Sequence, residues 1–425
     1  MTDLLGTLAE RGFVQDLTPG LEERLQRGPV TAYVGFDPTA SSLHVGSLVP
    51  VMGLAWLQRL GGTPIALVGG GTGLVGDPSG KRAERPMLSV NEVDANAEGI
   101  RQQLAHFLDF SGARPARMVN NADWLRDLRL MEFLRDTGKH FTLSYMLQKE
   151  SVKSRMDTGI SYTEFSYMVV QAHDFWHLFT TQGCELQMGG SDQWGNITAG
   201  TELIRRREGA EAHGLVFPLL TTAAGGKFGK SEDGNIWLDA RRTSPYKFYQ
   251  YWFNTDDRDV ARFLKLFTFL PLARINEIVA EHTAAPQARV GQRVLADELT
   301  ALVHDPLTAK RMIQASRFIF GELEPAALGP DVLRVLATEL ESVQIGRERV
   351  VAGLSLVDAL VEAGLASSKS EARRGLQQKG YSVNGRKAED PDETLTAAHL
   401  VGDGYILLQK GKKHHAILVV GNHAG

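Results

Sequence analysis

The chain of 425 residues is 43% hydrophobic and 23% charged, which supplies material for a large core, excludes a disordered polymer and suggests two or three domains. Its 46 Lys and Arg are outweighed by 50 Asp and Glu, a formal charge of -4, so any nucleic-acid binding must come from a local basic patch and not from overall charge. A single cysteine, Cys184, excludes an internal disulfide; with no leader-like N-terminus and no apolar run of bilayer length, the chain reads as soluble, cytoplasmic and without a membrane partner.

The first half alternates strand-like and helix-like segments. VTAYVGFDP (Val30 to Pro38) is a β-rich run that ends in a turn. HVGSLVPVMGLAWLQRL follows, with apolar residues at helical spacing, and then TPIALVGGG reads as a buried strand running into glycines. This alternation predicts a doubly wound parallel sheet, a Rossmann-like α/β domain over 1–243, with ligands bound beyond the carboxyl ends of its strands. From Ser244 the chain becomes helical and aromatic-rich, predicting a helical domain over 244–320. Residues 321–352 carry Pro325 and Pro330 and read as a linker, and a small α+β unit is expected over 353–425.

Three segments suit phosphate handling. In GGGTGLVGDPSGK, Gly71, Gly73 and Gly76 match the G-x-G-x-x-G dinucleotide pattern, but Asp77-Pro78-Ser79-Gly80 breaks the chain where a helix should start. A Walker loop fails there too, since it needs glycine at Val75 and Ser or Thr at Arg82. DPTASSLHVGS (Asp37 to Ser47) sets a histidine beside a glycine at a helix start, where backbone N–H groups and the imidazole can donate to a polyphosphate. An ordinary helix start capped by Ser41 or Ser42 gives the same pattern. KFGKS (Lys227 to Ser231), in a glycine-rich loop, reads as a mobile cationic arm.

Taken together, HVGS and the later KFGKS resemble the paired signatures of class I aminoacyl-tRNA synthetases, usually written HIGH and KMSKS. YVGFDPTASSLHVGSLVP, GTGLVGDPSGK, FSYMVVQAHDF and GGSDQWGNITAG narrow the resemblance to bacterial-type tyrosyl-tRNA synthetases, in family order and across essentially the whole chain. The resemblance implies L-tyrosine, ATP and tRNA(Tyr) as partners, and a homodimer. Mg²⁺ is expected to come with the ATP, because no dedicated carboxylate cage is visible and no metal-ligand set is predicted.

A site for tyrosine must reject phenylalanine, and buried polar partners for the hydroxyl do so by being left unpaired. By resemblance those partners are Tyr33 and Asp174. Tyr167, Gln171 and Asp174 fall at i, i+4 and i+7 of a predicted helix and share a face. The resemblance sets Tyr167 and Gln171, with Asp77 opposite, around the ammonium group, and Gln193 near the carboxylate. For ATP it implies Gly35, Asp37, His44, Gly46, Gly190, Asp192 and Lys230. Thr39, His44, Lys227 and Lys230 are expected to meet the charge that grows on pyrophosphate, with Lys81 and Arg85 contributing from a loop. One departure stands out: Ser47 occupies a signature position that is often histidine, and it donates a hydrogen bond without carrying charge.

Near the C-terminus, Ala366 to Lys387 holds six Lys or Arg against one acidic residue, Glu371. It resembles a small RNA-binding fold named after a ribosomal protein, with Lys369, Arg373 and Arg374 on one helix as tRNA contacts. Arg205, Arg206 and Arg207 form a second cluster, suited to the tRNA acceptor arm. Two other readings stay open at this point: a nicotinamide-dependent oxidoreductase, from the glycine pattern, and a non-catalytic RNA-binding paralogue.

Overall fold

The computed structural model describes residues 3–79, 88–153, 155–156, 159–226, 228–231, 234–402, 404–411 and 414–421. The chain divides into two units: Met1–Ser244 with Tyr251–Val303, and Pro245–Gln250 with His304–Gly425.

The first unit is built on a sheet of β1 (Asp16–Leu17), β2 (Thr31–Phe36), β3 (Thr63–Val68), β4 (Arg117–Asn120), β5 (Cys184–Gly190) and β6 (His213–Phe217), in the order β1-β6-β5-β2-β3-β4. All pairings are parallel except that of the short edge strand β1 with β6. The winding reverses between β2 and β5, so the expected doubly wound sheet is present and its switch point lies at that pair. Strands β3 and β6 are buried along nearly their whole length, as apolar runs covered on both faces must be.

Two features set the site. The helix Tyr162–Gln182 is started by the Ser161 hydroxyl, which accepts from the Glu164 amide, and stopped by Gly183 in the left-handed region at φ 63°. Against it packs the helix Trp194–Glu208, where a Cβ on Gly200 would come 2.7 Å from the Phe175 ring. Together they fix the face that carries Tyr167, Gln171 and Asp174. The unit also contains the helices Asp257–Phe267, Leu272–Ala284 and Val290–Val303, the first of which buries Phe263 and Phe267.

The second unit carries the helices Pro306–Ile319 and Pro330–Glu339. It also carries a sheet of β9 (Glu341–Gly346), β11 (Tyr381–Val383), β12 (Arg386–Ala388), β14 (Tyr405–Lys410) and β15 (His414–Gly421), with the small pair β10 (Leu354–Ser355) and β13 (Thr394–Leu395) beside it. Alternate residues of β14 and β15 enter opposite cores. Ile406, Leu408, Ala416 and Leu418 join the core that contains Leu356, Leu360 and Leu376, while Leu407 and Ile417 join Leu333 and Leu336. The expected C-terminal α+β architecture is therefore present, and residues 321–352 contribute a helix and the edge strand β9 to it.

Candidate active site

A cavity of about 880 Å³ opens at the carboxyl ends of β2 and β5, the size of a small-molecule site. It has a buried end and an open end with different chemistry.

Tyr33 and Asp174 line the buried end, each 2% exposed. The Tyr33 ring packs on Phe175 with centroids 5.4 Å apart, which holds its hydroxyl in place, and that hydroxyl has no hydrogen-bond partner among the described residues. Burial, reinforced by the charge of Asp174, pushes the phenol well above its ordinary range, so it is a neutral hydroxyl. The Asp174 carboxylate accepts from Asn121 Nδ2 at 2.8 Å and from Trp124 Nε1 at 2.7 Å. Trp124 is backed by His177, stacked at 4.3 Å and 17°. Burial raises Asp174 to about 7, although both donors pull it down. Gln187, also 2% exposed, faces the same cavity with an unpartnered Oε1. A buried hydroxyl and a buried carbonyl oxygen left unpaired are costly, and a polar ligand satisfies them.

Above this lies an acidic, amide-rich belt. Tyr167 donates its hydroxyl to Asp37 at 2.9 Å, and Thr72 donates to the other oxygen of Asp37 at 2.9 Å. Asp77 accepts from Gln193 at 2.6 Å and from the Ser79 amide at 2.9 Å. Asn196 donates to Gln171 at 3.0 Å and to Gln193 at 3.1 Å, joining the two glutamines. Asp37, Asp77, Tyr167, Gln171, Asp174 and Gln193 thus all line one cavity, and the belt carboxylates Asp37 and Asp77 suit an ammonium group. Sequence reasoning missed Asn121, Trp124 and Gln187, which lie outside every motif quoted, and passed over Thr72 and Asn196, which lie inside two of them but whose partners only the fold supplies.

The open end is cationic and glycine-rich. Thr39, His44, Gly35, Gly46, Ser47, Gly190, Asp192 and Lys230 line it. His44 itself caps the turn Val45–Ser47, its Nδ1 accepting from the Gly46 amide at 3.0 Å, where the alternative reading of an ordinary helix start offered Ser41 or Ser42. With Nδ1 accepting, the neutral ring carries its proton on Nε2 and offers it as a donor. Ser42 instead accepts from Gln103 and from the Asp239 amide.

The second-signature loop, expected to be a mobile arm, is docked over 228–231. Lys230–Ser231 (β7) pairs with Gly234–Asn235 (β8). Phe228 is buried among Tyr251, Trp252, Phe263 and Phe267, parallel to the last at 5.3 Å. Gly229, at φ 83°, lies so close that a Cβ there would sit 2.9 Å from the Gly46 amide nitrogen. The two signatures are therefore in direct backbone contact. Lys81, Arg85 and Lys227 lie outside the described residues.

The glycines of the apparent dinucleotide pattern have other employment. The Gly71 amide donates to Asn121, that of Gly73 to the Gly69 carbonyl and that of Gly76 to the Thr72 carbonyl, and the neighbouring Gly70 amide donates to Asn120, so these N–H groups do not point at a ligand. Among the described residues the next α-helix is Val90–Leu104.

None of the proposed RNA contacts lines this cavity. Arg205 and Arg206 pair with Glu202 at 2.8 and 2.5 Å. In the second unit Lys369 pairs with Asp358 at 2.8 Å and Arg373 with Asp392 at 3.4 Å, while Arg374 is exposed beside them. Such exposed pairs are weak and exchange readily for phosphate.

The family model for tRNA synthetases class I (W and Y) matches residues 25–321, and that for the Tyrosine–tRNA ligase SYY-like C-terminal domain matches 335–418. A tyrosine–tRNA ligase of Anaeromyxobacter dehalogenans (strain 2CP-C) is 59% identical over 420 residues, 99% of this chain and 100% of the relative. One of Roseiflexus castenholzii is 50% identical, covering 98% and 99%. A C-terminally truncated mitochondrial tyrosyl-tRNA synthetase of Aspergillus nidulans superposes with a TM-score of 0.69 at 33% identity, covering 75% of this chain and 95% of that one.

Proposed function

This chain belongs to the tyrosine branch of the class I tRNA synthetases, and on that premise we propose that the cavity between β2 and β5 is where it activates L-tyrosine with ATP. The chain is a tyrosine–tRNA ligase: it forms tyrosyl-adenylate and transfers tyrosine to its tRNA. The observation that carries the assignment of the site is that the orphaned Tyr33 hydroxyl and the Asp174 carboxylate line the same buried end. A substrate phenol there accepts from Tyr33 and donates to Asp174, two bonds that phenylalanine cannot make.

The substrate ammonium then falls to Asp77, Tyr167 and Gln171, and the carboxylate to Gln193. A carboxylate oxygen attacks the α-phosphorus in line; the new P–O bond forms as the bond to pyrophosphate breaks. No protein nucleophile is needed, so catalysis is positioning plus stabilisation of charge on the departing pyrophosphate. Thr39, His44 and Lys230 are our assignments for that charge, with Lys81, Arg85 and Lys227. Gly35, Asp37, Gly46, Gly190 and Asp192 are assigned to the nucleoside and phosphate backbone. Mg²⁺ is assigned to arrive with ATP. In the second step a 3′-terminal ribose hydroxyl attacks the adenylate carbonyl and AMP leaves.

Residues 353–425, with Lys369, Arg373 and Arg374, are read as the RNA-binding part, 244–320 as the anticodon-side helices, and Arg205 and Arg206 as acceptor-arm contacts. A homodimer is supported by an exposed apolar surface on one stretch of chain: Leu130 (67%), Met131 (74%), Leu143 (68%), Met156 (54%) and Tyr162 (75%). The double variant Met131→Asp/Leu143→Asp is expected to sediment as a monomer; an unchanged dimer would move the interface elsewhere. Among the described residues no helix is long and apolar enough to cross a membrane, and we place the enzyme in the cytoplasm.

ATP–pyrophosphate exchange with tyrosine, phenylalanine or tryptophan as sole amino acid tests the site directly. Exchange with tyrosine alone is the expected result. Exchange with none, from folded protein, would leave an RNA-binding paralogue as the better account.

A further inference from the structure

The Lys230 hairpin is held at the open end of the cavity by contacts of three kinds. Two are backbone bonds: Ile236 N–H donates to the Gly229 carbonyl at 3.0 Å, and Val45 N–H to the Ile236 carbonyl at 2.9 Å. A second kind is the Phe228 ring in its aromatic pocket. The third is a polar side-chain contact, in which the Gly229 N–H donates to the Tyr251 hydroxyl at 3.0 Å.

That third contact sits at a sensitive point. Gly229 is buried between the aromatic anchor and the cationic group, in the left-handed conformation and close against Gly46. Its amide donates to this hydroxyl, and a buried N–H that lost such an acceptor would favour any opening that lets in water. Burial raises the Tyr251 phenol to about 12, against the pull of the Gly229 bond, so the hydroxyl stays neutral across the working pH range. The ring beneath it belongs to the cluster that receives Phe228, with centroids 6.5 Å apart.

We propose that Tyr251 is a positioning residue for the activation step: by accepting the Gly229 amide, its hydroxyl keeps the loop in the arrangement that presents Lys230 to the phosphate end of the cavity. This rests on the assignment of Lys230 to the leaving pyrophosphate. Phe228 supplies most of the adhesion, but apolar contact is non-directional and tolerates sliding. The hydrogen bond fixes the register of the hairpin against the first signature.

Tyr251→Phe is the discriminating variant, because it keeps the ring in the cluster and removes only the oxygen. We expect kcat for tyrosine-dependent exchange to fall about fivefold to tenfold, with KM for tyrosine unchanged. Tryptic cleavage after Lys230 in the native protein should speed up by a similar factor while the thermal midpoint holds. On a Lys230→Ala background the same change should cost no further activity, as for two residues acting through one group. Unchanged cleavage and kcat in Tyr251→Phe would overturn the assignment, and so would an effect that adds in full on the Lys230→Ala background. Failure of the wild type to exchange with tyrosine would instead sink the underlying reading of Lys230; the cleavage comparison still reports on the latch in that case.

Discussion

Asp174→Asn is expected to lower kcat/KM for tyrosine in pyrophosphate exchange by roughly two orders of magnitude, the scale of a lost hydrogen bond to a charged group. Both oxygens of Asp174 already accept, one from Asn121 and one from Trp124. An amide nitrogen in place of either oxygen sets donor against donor, so the variant loses the acceptor for the substrate hydroxyl and disturbs its own support. Preference for tyrosine over phenylalanine should shrink in step, read from the ratio of the two kcat/KM values. An undiminished preference would remove Asp174 from the recognition of the hydroxyl.

The same substitution also changes how stability depends on pH. Burial raises the Asp174 carboxyl from its ordinary value to about 7. Between about 4 and about 7 the native state therefore keeps a proton that the unfolded chain has lost, and the contribution of this group to stability falls as pH rises through that window. Above about 7 both states are ionised and the loss is complete. Relative to wild type, Asp174→Asn should gain up to about 4 kcal/mol between pH 4 and pH 8. Urea midpoints of the two proteins at those pH values measure it, and parallel shifts would contradict it. The enzyme keeps a destabilising buried carboxyl because the substrate hydroxyl needs an acceptor there.

Lys230→Ala is expected to reduce kcat for exchange by about 10²–10³, the usual consequence of removing one donor to charge that develops in the transition state. Tyrosine KM should barely change, because Lys230 lines the open end of the cavity and Tyr33 and Asp174 the buried end. A variant that lost tyrosine affinity and kept kcat would place Lys230 in ground-state binding instead.

Much of this enzyme was legible without coordinates. The strand that delivers Tyr33, the helix stripe of Tyr167, Gln171 and Asp174, and the two signatures are each local patterns, a few residues apart, that backbone geometry converts into a shared face or a turn. The doubly wound sheet followed from the alternation of such segments. The identity of the cap on the first signature was not legible, since Ser41, Ser42 and His44 all have the chemistry to accept an amide. Only the fold selects His44 and leaves Ser42 to Gln103 and Asp239.

What the chain order alone determined is the set of chemical groups and their local directions: an acidic and amide-bearing helix face, a histidine at a turn, lysines on a glycine-rich loop. The tertiary structure decided which of them meet. Asn121 and Trp124 reach Asp174 across about 50 positions, Tyr167 reaches Asp37 across 130, and Phe228 finds its pocket in a helix that begins at Asp257. It also decided that the glycine amides after β3 serve Asn120 and Asn121, and that several residues of the basic clusters are already paired with carboxylates. Hydrogen bonds and ring contacts act over a few ångströms, and sequence distance carries no information about that separation until the sheet and its covering helices have folded the segments together.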